Sequence, residues 1–137
     1  MQIDHLELLV PNRDAAQAWY GEWLGFVAMS EHAEWAQDGP LMLTNDGGIT
    51  MLALFTGSGR GRDEASKSTG WRRIAFRMSG AELLAWTQRY RQSGQTLKGP
   101  VDHDKAWSVY FSDPWGNALE VTTYDYSMVR QAWEAGQ

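Results

Sequence analysis

The residue best placed to do chemistry in this 137-residue chain is Glu120. It stands in Phe111-Ser112-Asp113-Pro114-Trp115-Gly116-Asn117-Ala118-Leu119-Glu120-Val121, which reads as a strand end, a tight turn and a second strand with one carboxylate in its middle. Asp113-Pro114 start the turn, and Gly116-Asn117 tolerate positive φ. Alternation puts Leu119 and Val121 on one face of the new strand, with Ala118, Glu120 and Thr122 on the other. A lone carboxylate on a face of short side chains needs a metal, an arginine or water as its partner. Three histidines (His5, His32 and His103) are available, and the absence of cysteine excludes thiolate chemistry and a disulfide framework.

The length suits one core of ordinary size or two small half-domains sharing one. With 43% hydrophobic and 21% charged residues the chain falls among globular sequences. A net charge of −5, with the 12 Lys and Arg forming no long run, argues against nucleic acid as a partner. Met1-Gln2-Ile3-Asp4-His5 carries no basic, apolar leader, and no stretch approaches membrane-spanning length, so no membrane partner is expected and a cytoplasmic location is. Eight tryptophans are many for this length; they serve either the core or a pocket for aromatic and apolar ligands.

The elements that must position Glu120 come in a repeating order. Ile3 to Val10 alternates as a strand, with Leu6, Leu8 and Val10 on one face and Ile3, His5, Glu7 and Leu9 on the other. A helix follows from Arg13 to Leu24, its apolar stripe Ala16, Trp19, Tyr20 and Trp23, and Gly25 stops it. Phe26–Ser30 and Leu41–Thr44 are weaker strands; Asn45-Asp46-Gly47-Gly48 is a hairpin turn before the strand Ile49–Phe55. Residues 57–70 read as a linker, because Gly57-Ser58-Gly59-Arg60-Gly61-Arg62 meets no phosphate-loop spacing. Then Arg73–Met78 forms a strand, Ser79-Gly80-Ala81-Glu82 is a capping box, and a helix runs to about Gln92. Thr96-Leu97, a loop with Asp102-His103-Asp104, the strand Ser108–Phe111 and the strand bearing Glu120 complete the series. Gly48 and Gly116, and likewise Val10 and Met78, stand 68 residues apart. The chain thus reads as two βαβββ modules (1–56 and 71–125) within a single α+β domain, 1–125, and a helical tail, 126–137.

His5-Leu6-Glu7-Leu8, Trp19-Tyr20 followed by Leu24-Gly25-Phe26, and Tyr110 to Glu120 resemble the vicinal oxygen chelate superfamily, the group of glyoxalase I, extradiol dioxygenases, fosfomycin-resistance enzymes and bleomycin-binding proteins. The resemblance covers residues 2–125. It implies the glyoxalase/bleomycin resistance/dioxygenase fold, with sheets curled into a cup, a small-molecule ligand and a homodimer. It also implies a divalent metal such as Fe, Zn or Mn. Under the 68-residue repeat the four ligand positions fall on His5, Leu52, Arg73 and Glu120. Leu52 cannot ligate, and Arg73 stands where a histidine would be, protonated and without a lone pair.

Three readings of Glu120 stay open. Arg73 pairs with it and no metal is held; or His5 and Glu120 hold a metal with a third loop ligand such as His103 (His32 is the weaker choice); or the carboxylate is solvated in an interaction module. Alternation lines the cup with Glu7, Leu9, Thr50, Leu52, Leu54, Arg73, Arg77, Ala118 and Thr122, joined by Tyr110 and Ser108. Arg77 suits an anionic group by bidentate contact. Trp35, Trp107 and Trp115 are placed at the rim, where a flat ligand would stack. A charge of −5 favours a cationic ligand only weakly. The expected activity is metal-independent binding of a small polar or aromatic molecule through Glu7, Thr50, Arg73, Arg77, His103, Trp107, Tyr110 and Thr122. The alternative is a metal-dependent dioxygenase, lyase or thiol transferase built on His5, Glu120 and His103.

Overall fold

The computed structural model describes residues 3–57 and 73–136. The chain forms two compact units, Met1–Ala65 and Ser66–Gln137. The linker expected over 57–70 lies, from residue 58 onward, outside the described residues. No helix among the described residues is long and apolar enough to cross a membrane.

The first unit runs β1 (Leu6–Val10), α1 (Arg13–Leu24), β2 (Val27–Ala28), a 3-10 segment (Ser30–Ala36), β3 (Leu41–Thr44) and β4 (Met51–Thr56). Its sheet has the order β1-β4-β3-β2, with β1 and β4 parallel and the other pairs antiparallel. Asn12 caps α1 by accepting from the Ala15 amide at 2.9 Å, and Gly25 ends it at φ 72°. The expected stripe of Ala16, Trp19, Tyr20 and Trp23 is the buried one. β2 is shorter than the Phe26–Ser30 expected, because the chain turns into the 3-10 segment from Ser30.

The second unit repeats the plan with β5 (Ile74–Arg77), α2 (Gly80–Gln92), β6 (Lys98–Asp102), β7 (Trp107–Ser112) and β8 (Ala118–Thr123), and adds α3 (Tyr126–Ala135). The sheet order is β5-β8-β7-β6. The capping box forms: Ser79 Oγ accepts from the Glu82 amide at 3.3 Å, and the Ser79 amide donates to the Glu82 carboxylate at 2.8 Å. Trp86 and Tyr90 of α2 pack on Phe111, with ring centres 4.8 and 5.4 Å away, which marks the face of Phe111, Leu119 and Val121 as the helix-covered one. β6 was expected only as Thr96-Leu97 and a loop. Its Gly99-Pro100 pair argues against a central strand, and β6 is an edge strand with a register break between Lys98 and Val101.

The strand pairing corrects one expectation. Leu6 is opposite Leu52 in the first unit, while Ile74 is opposite Leu119 in the second. From the other side, Leu43 pairs with Leu52 and Phe111 with Leu119. Both neighbours therefore align Ala53, not Leu52, with Glu120. The hairpin after β3 holds one residue more than the turn after β7, as Thr44 pairs with Met51 but Ser112 with Ala118. A one-residue offset exchanges the faces of a strand. Leu52 and Leu54, expected in the cup, thus belong to the helix-covered face. The opposite face of β4 carries Met51, Ala53 and Phe55, packed with Met29 and Met42.

α3 is held on the start of α2, where the Gly80 amide donates to the Asp125 carboxylate at 2.8 Å. A Cβ on Gly80 would lie 2.7 Å from Met128 Cε, 2.9 Å from Val129 Cγ2 and 3.0 Å from Asp125 Cβ. Met128 can swing away, but Val129 is fully buried and Asp125 is tied by its hydrogen bond. Gly80→Ala is expected to lower stability by about 1–3 kcal/mol through overpacking, measured by urea unfolding. Unchanged or raised stability would show that α3 does not press on α2 in this way.

Candidate ligand-binding site

The uncovered face of the second sheet is built outward from β8. Glu120 has Ala75 of β5 on one side and Tyr110 of β7 on the other; Thr122 sits between Arg77 and Ser108. Lys98 of β6 is opposite Tyr110. Arg73, one residue before β5, extends the same face. The sheet thereby gathers Arg73, Glu120, Tyr110 and Lys98 although 47 residues of chain separate the first two.

Arg73 Nη1 is 3.9 Å from Glu120 Oε2, too far for a hydrogen bond. The same guanidinium lies over the Tyr110 ring, 4.3 Å from its centre. The Tyr110 hydroxyl is in turn 2.7 Å from His103 Nε2. The Arg73 and Glu120 side chains are only 26% and 16% exposed, yet among the described residues neither has a hydrogen-bond partner. A largely desolvated carboxylate without a donor costs on the order of 1–3 kcal/mol or more. A ligand bringing a donor for Glu120 and an acceptor for Arg73 recovers that cost.

A cavity of about 470 Å³ opens here, lined by Arg73, Lys98, Val101, His103, Tyr110 and Glu120. A second, of about 510 Å³, shares Arg73, Lys98 and Tyr110 as its wall and extends over Tyr90, Leu97, Phe111 and Leu119. Both are of the size that small-molecule ligands occupy. Lys98 and Val101 were not singled out from sequence. Their signal was the strand alternation of β6, hidden by Gly99-Pro100.

The other expected site residues are spread more widely. Arg77 and Thr122 share the face of Glu120, but Arg77 lies over the Tyr124 ring at 4.9 Å, and the Thr122 hydroxyl bonds to Ser108 Oγ at 3.1 Å and donates to the Trp107 carbonyl at 3.2 Å. Trp107 is not at a rim. It begins β7 on the helix-covered face, 5% exposed, stacked on Tyr126 with ring centres 5.9 Å apart, and its indole N–H donates to the Tyr126 carbonyl. Alternation explains this, since Trp107 has the parity of Val109 and Phe111. Trp35 is exposed and stacked on His32 at 4.1 Å; Trp115 is half-buried in the β7–β8 turn.

His5, Glu7 and Thr50 belong to the first unit. Thr50 precedes β4, and its hydroxyl and amide both donate to the Asp46 carboxylate at 2.6 Å, so it organises the hairpin. Glu7 is on the face of Ala53. His5 Nδ1 is 2.7 Å from Asp4 Oδ2 and its Nε2 is 3.6 Å from Glu7 Oε1.

The Glyoxalase/Bleomycin resistance protein/Dioxygenase superfamily matches residues 2–121, and the chain belongs to that family. Solved structures share the fold. An integron cassette protein from the mobile metagenome of a Halifax Harbour sewage outfall is 26% identical with a TM-score of 0.63, covering 87% of this chain and 95% of its own. A virulence protein from Salmonella typhimurium is 25% identical with a TM-score of 0.65, covering 90% and 97%. TnmS3, an antibiotic binding protein from Streptomyces sp. CB03234, is 18% identical with a TM-score of 0.63, covering 90% and 96%. No curated protein matches the chain.

The divalent metal implied by the family does not fit the donors of the second unit. Glu120 is its single carboxylate on this face, and the nearest charged group to it is a guanidinium. His103 Nε2 is engaged with Tyr110. Among the described residues no three His, Asp or Glu side chains gather closely enough to hold an ion.

In the first unit, hydrogen bonding to Asp4, opposed by slight desolvation and aided by Glu7, raises the His5 pKa above its ordinary 6.5. The protonated ring donates from both nitrogens and offers no lone pair. A raised folded-state pKa means that the stabilisation is complete below the unfolded value and is lost as pH rises through the folded one. By NMR titration His5 is expected to deprotonate above free histidine, and Asp4→Asn to bring it down; a His5 titrating at or below the free value would contradict the pairing.

Proposed function

We infer that the chain binds a small organic molecule on the uncovered face of its second sheet, through Arg73, Tyr110, His103, Lys98 and Glu120, and that these residues hold no metal. The observation that carries this reading is the Arg73–Glu120 pair, largely desolvated, 3.9 Å apart and not hydrogen-bonded, at the wall of a cavity. A pair built for stability closes to hydrogen-bonding distance; one that stops short leaves donors and an acceptor for a guest. The fold shared with an antibiotic binding protein supports sequestration as the role. The homodimer that the resemblance implies belongs to this proposal.

The other reading keeps a metal-dependent dioxygenase, lyase or thiol transferase built on His5, Glu120 and His103. What favours it is that His103 and Glu120 line one cavity. Elemental analysis of protein purified without chelator separates the two: the binding reading expects far less than one Fe, Zn or Mn per chain, and near-stoichiometric metal overturns it.

Substitution supplies the second check. Glu120→Gln is expected to change stability by less than about 1 kcal/mol, because the relief of a carboxylate without a donor is offset by leaving Arg73 without its counter-charge. The same change is expected to shift the affinity of the hits of a thermal-shift ligand screen about tenfold, weaker for a guest that donates to Glu120 and tighter for one that brings an anion to Arg73. Hits that bind Glu120→Gln as tightly as the unaltered protein would place the guest elsewhere.

A further inference from the structure

The charge on the cavity walls differs in sign from that of the whole chain. The protein carries −5, yet the wall common to both cavities presents Arg73 and Lys98, against Glu120 as the one carboxylate among the described residues lining either of them. Among the described residues Lys98 has neither an ion pair nor a hydrogen bond, and Arg73 has only the long contact to Glu120. Cations held on one sheet face around a tyrosine ring, with the 3.9 Å contact to Glu120 their one anion among the described residues, are arranged for an anion from outside.

The two cavities divide the remaining chemistry. On one side of the shared wall are Glu120 and the hydrogen-bonded pair of His103 and Tyr110. On the other are Leu97 and Ala118, with Gln95, Thr96 and Ser112 beside them, while Phe111 and Leu119 behind them are 6% and 1% exposed under α2. A guest whose anionic group sits at the wall therefore meets hydrogen-bonding groups on one side and a small apolar bed, Leu97 and Ala118, on the other.

We propose that the ligand is an amphiphilic organic anion, a carboxylate on an aromatic or aliphatic body. Arg73 and Lys98 grip its carboxylate, and its body lies along Leu97 and Ala118 at the end of the sheet. This rests on the reading that the second sheet binds a small molecule, and it names the class. It disfavours the cationic ligand that the overall charge alone suggests: an ammonium at the wall would meet two like charges beside the single carboxylate of Glu120. Arg73 can turn its donors to the carboxylate without leaving the Tyr110 ring, since the planar guanidinium stacks by its face and donates from its edge.

The test uses the intact protein and two bodies, 4-phenylbutyrate and naphthalene-2-acetate, each as the carboxylate, the neutral amide and the matching amine. Affinities are read by calorimetry at low salt, with inorganic phosphate as a competitor. The carboxylates are expected to bind about tenfold tighter than the amides and more tightly still than the amines. That preference is expected to disappear in Arg73→Gln and Lys98→Gln; Lys98 is exposed, so Lys98→Gln keeps the fold, which circular dichroism checks. Amides or amines that bind as well as the carboxylates, or a preference that survives both substitutions, would overturn the anion assignment and leave small-molecule binding standing. Inorganic phosphate competing as well as the whole probe would overturn the apolar bed. Binding by no member of either series would count against both this assignment and the reading on which it rests.

Discussion

Glu120 points where it does because β8 is paired on both sides. β5 lies parallel to it and β7 antiparallel, so both neighbours fix which residues face the helices. Leu119, Val121 and Thr123 go into the core; Ala118, Glu120 and Thr122 go to the open face. A slip of one residue would drive Glu120 against Trp86 and Phe111 as an uncompensated charge, at a cost of several kcal/mol. Asp113 guards that register. Its carboxylate accepts from the Trp115 amide at 3.0 Å, the Asn117 amide at 2.8 Å and Asn117 Nδ2 at 2.7 Å, while Gly116 takes φ 87°. The turn thus sets the aim of a side chain several residues away.

The two units show how much of this is scaffold and how much is site. Each places a parallel pair at one end of its sheet order, an antiparallel pair beside it and a helix across one face. Asp46 is to the first hairpin what Asp113 is to the second turn, a carboxylate accepting from amides and hydroxyls around it; bonds from Thr50 and Thr44 hold it below the usual carboxylate range. The open faces then diverge. The first bears Met42, Met51, Ala53 and Phe55, which pack on each other with Met29; the second bears Arg73, Tyr110, Lys98 and Glu120. One architecture therefore carries an apolar cluster bordered by Glu7 in one copy and a charged cluster around Tyr110 in the other.

What the sequence made legible follows from the range over which each signal acts. α1 and α2 are written locally, in Asn12, Gly25, the Trp19-Tyr20-Trp23 stripe and the Ser79–Glu82 box, and they form where those residues put them. The second sheet's open face was legible because period-two alternation on β5, β7 and β8 is unbroken. The first sheet's is not legible past the hairpin: a constant 68-residue offset makes Leu52 the repeat equivalent of Glu120, but the turn there is one residue longer and Ala53 is the counterpart. β6 escaped notice because Pro100 reads against a strand, and Lys98 and Val101 went with it. Trp107 was judged by neighbouring loop residues when its parity with Phe111 already placed it under the helices.

The polar groups outside the cavity set the standard for those within it. Asp113 accepts three hydrogen bonds, Asp46 is bonded to Thr44 and Thr50, Glu82 closes its capping box, Asp125 holds the start of α2, and Asp102 accepts from Tyr126. Each carboxylate that shapes a turn or a helix end is satisfied by the chain itself. Glu120 and Arg73 are half-buried, one on β8 and the other at the start of β5, and both lack hydrogen bonds among the described residues. Departures from local consistency in an otherwise satisfied fold mark the places where stability yields to binding. At Glu120 and Arg73 such a departure coincides with the shared wall of the two cavities. The fold alone, common to many ligands, would not single out this wall; the unmet hydrogen bonds do.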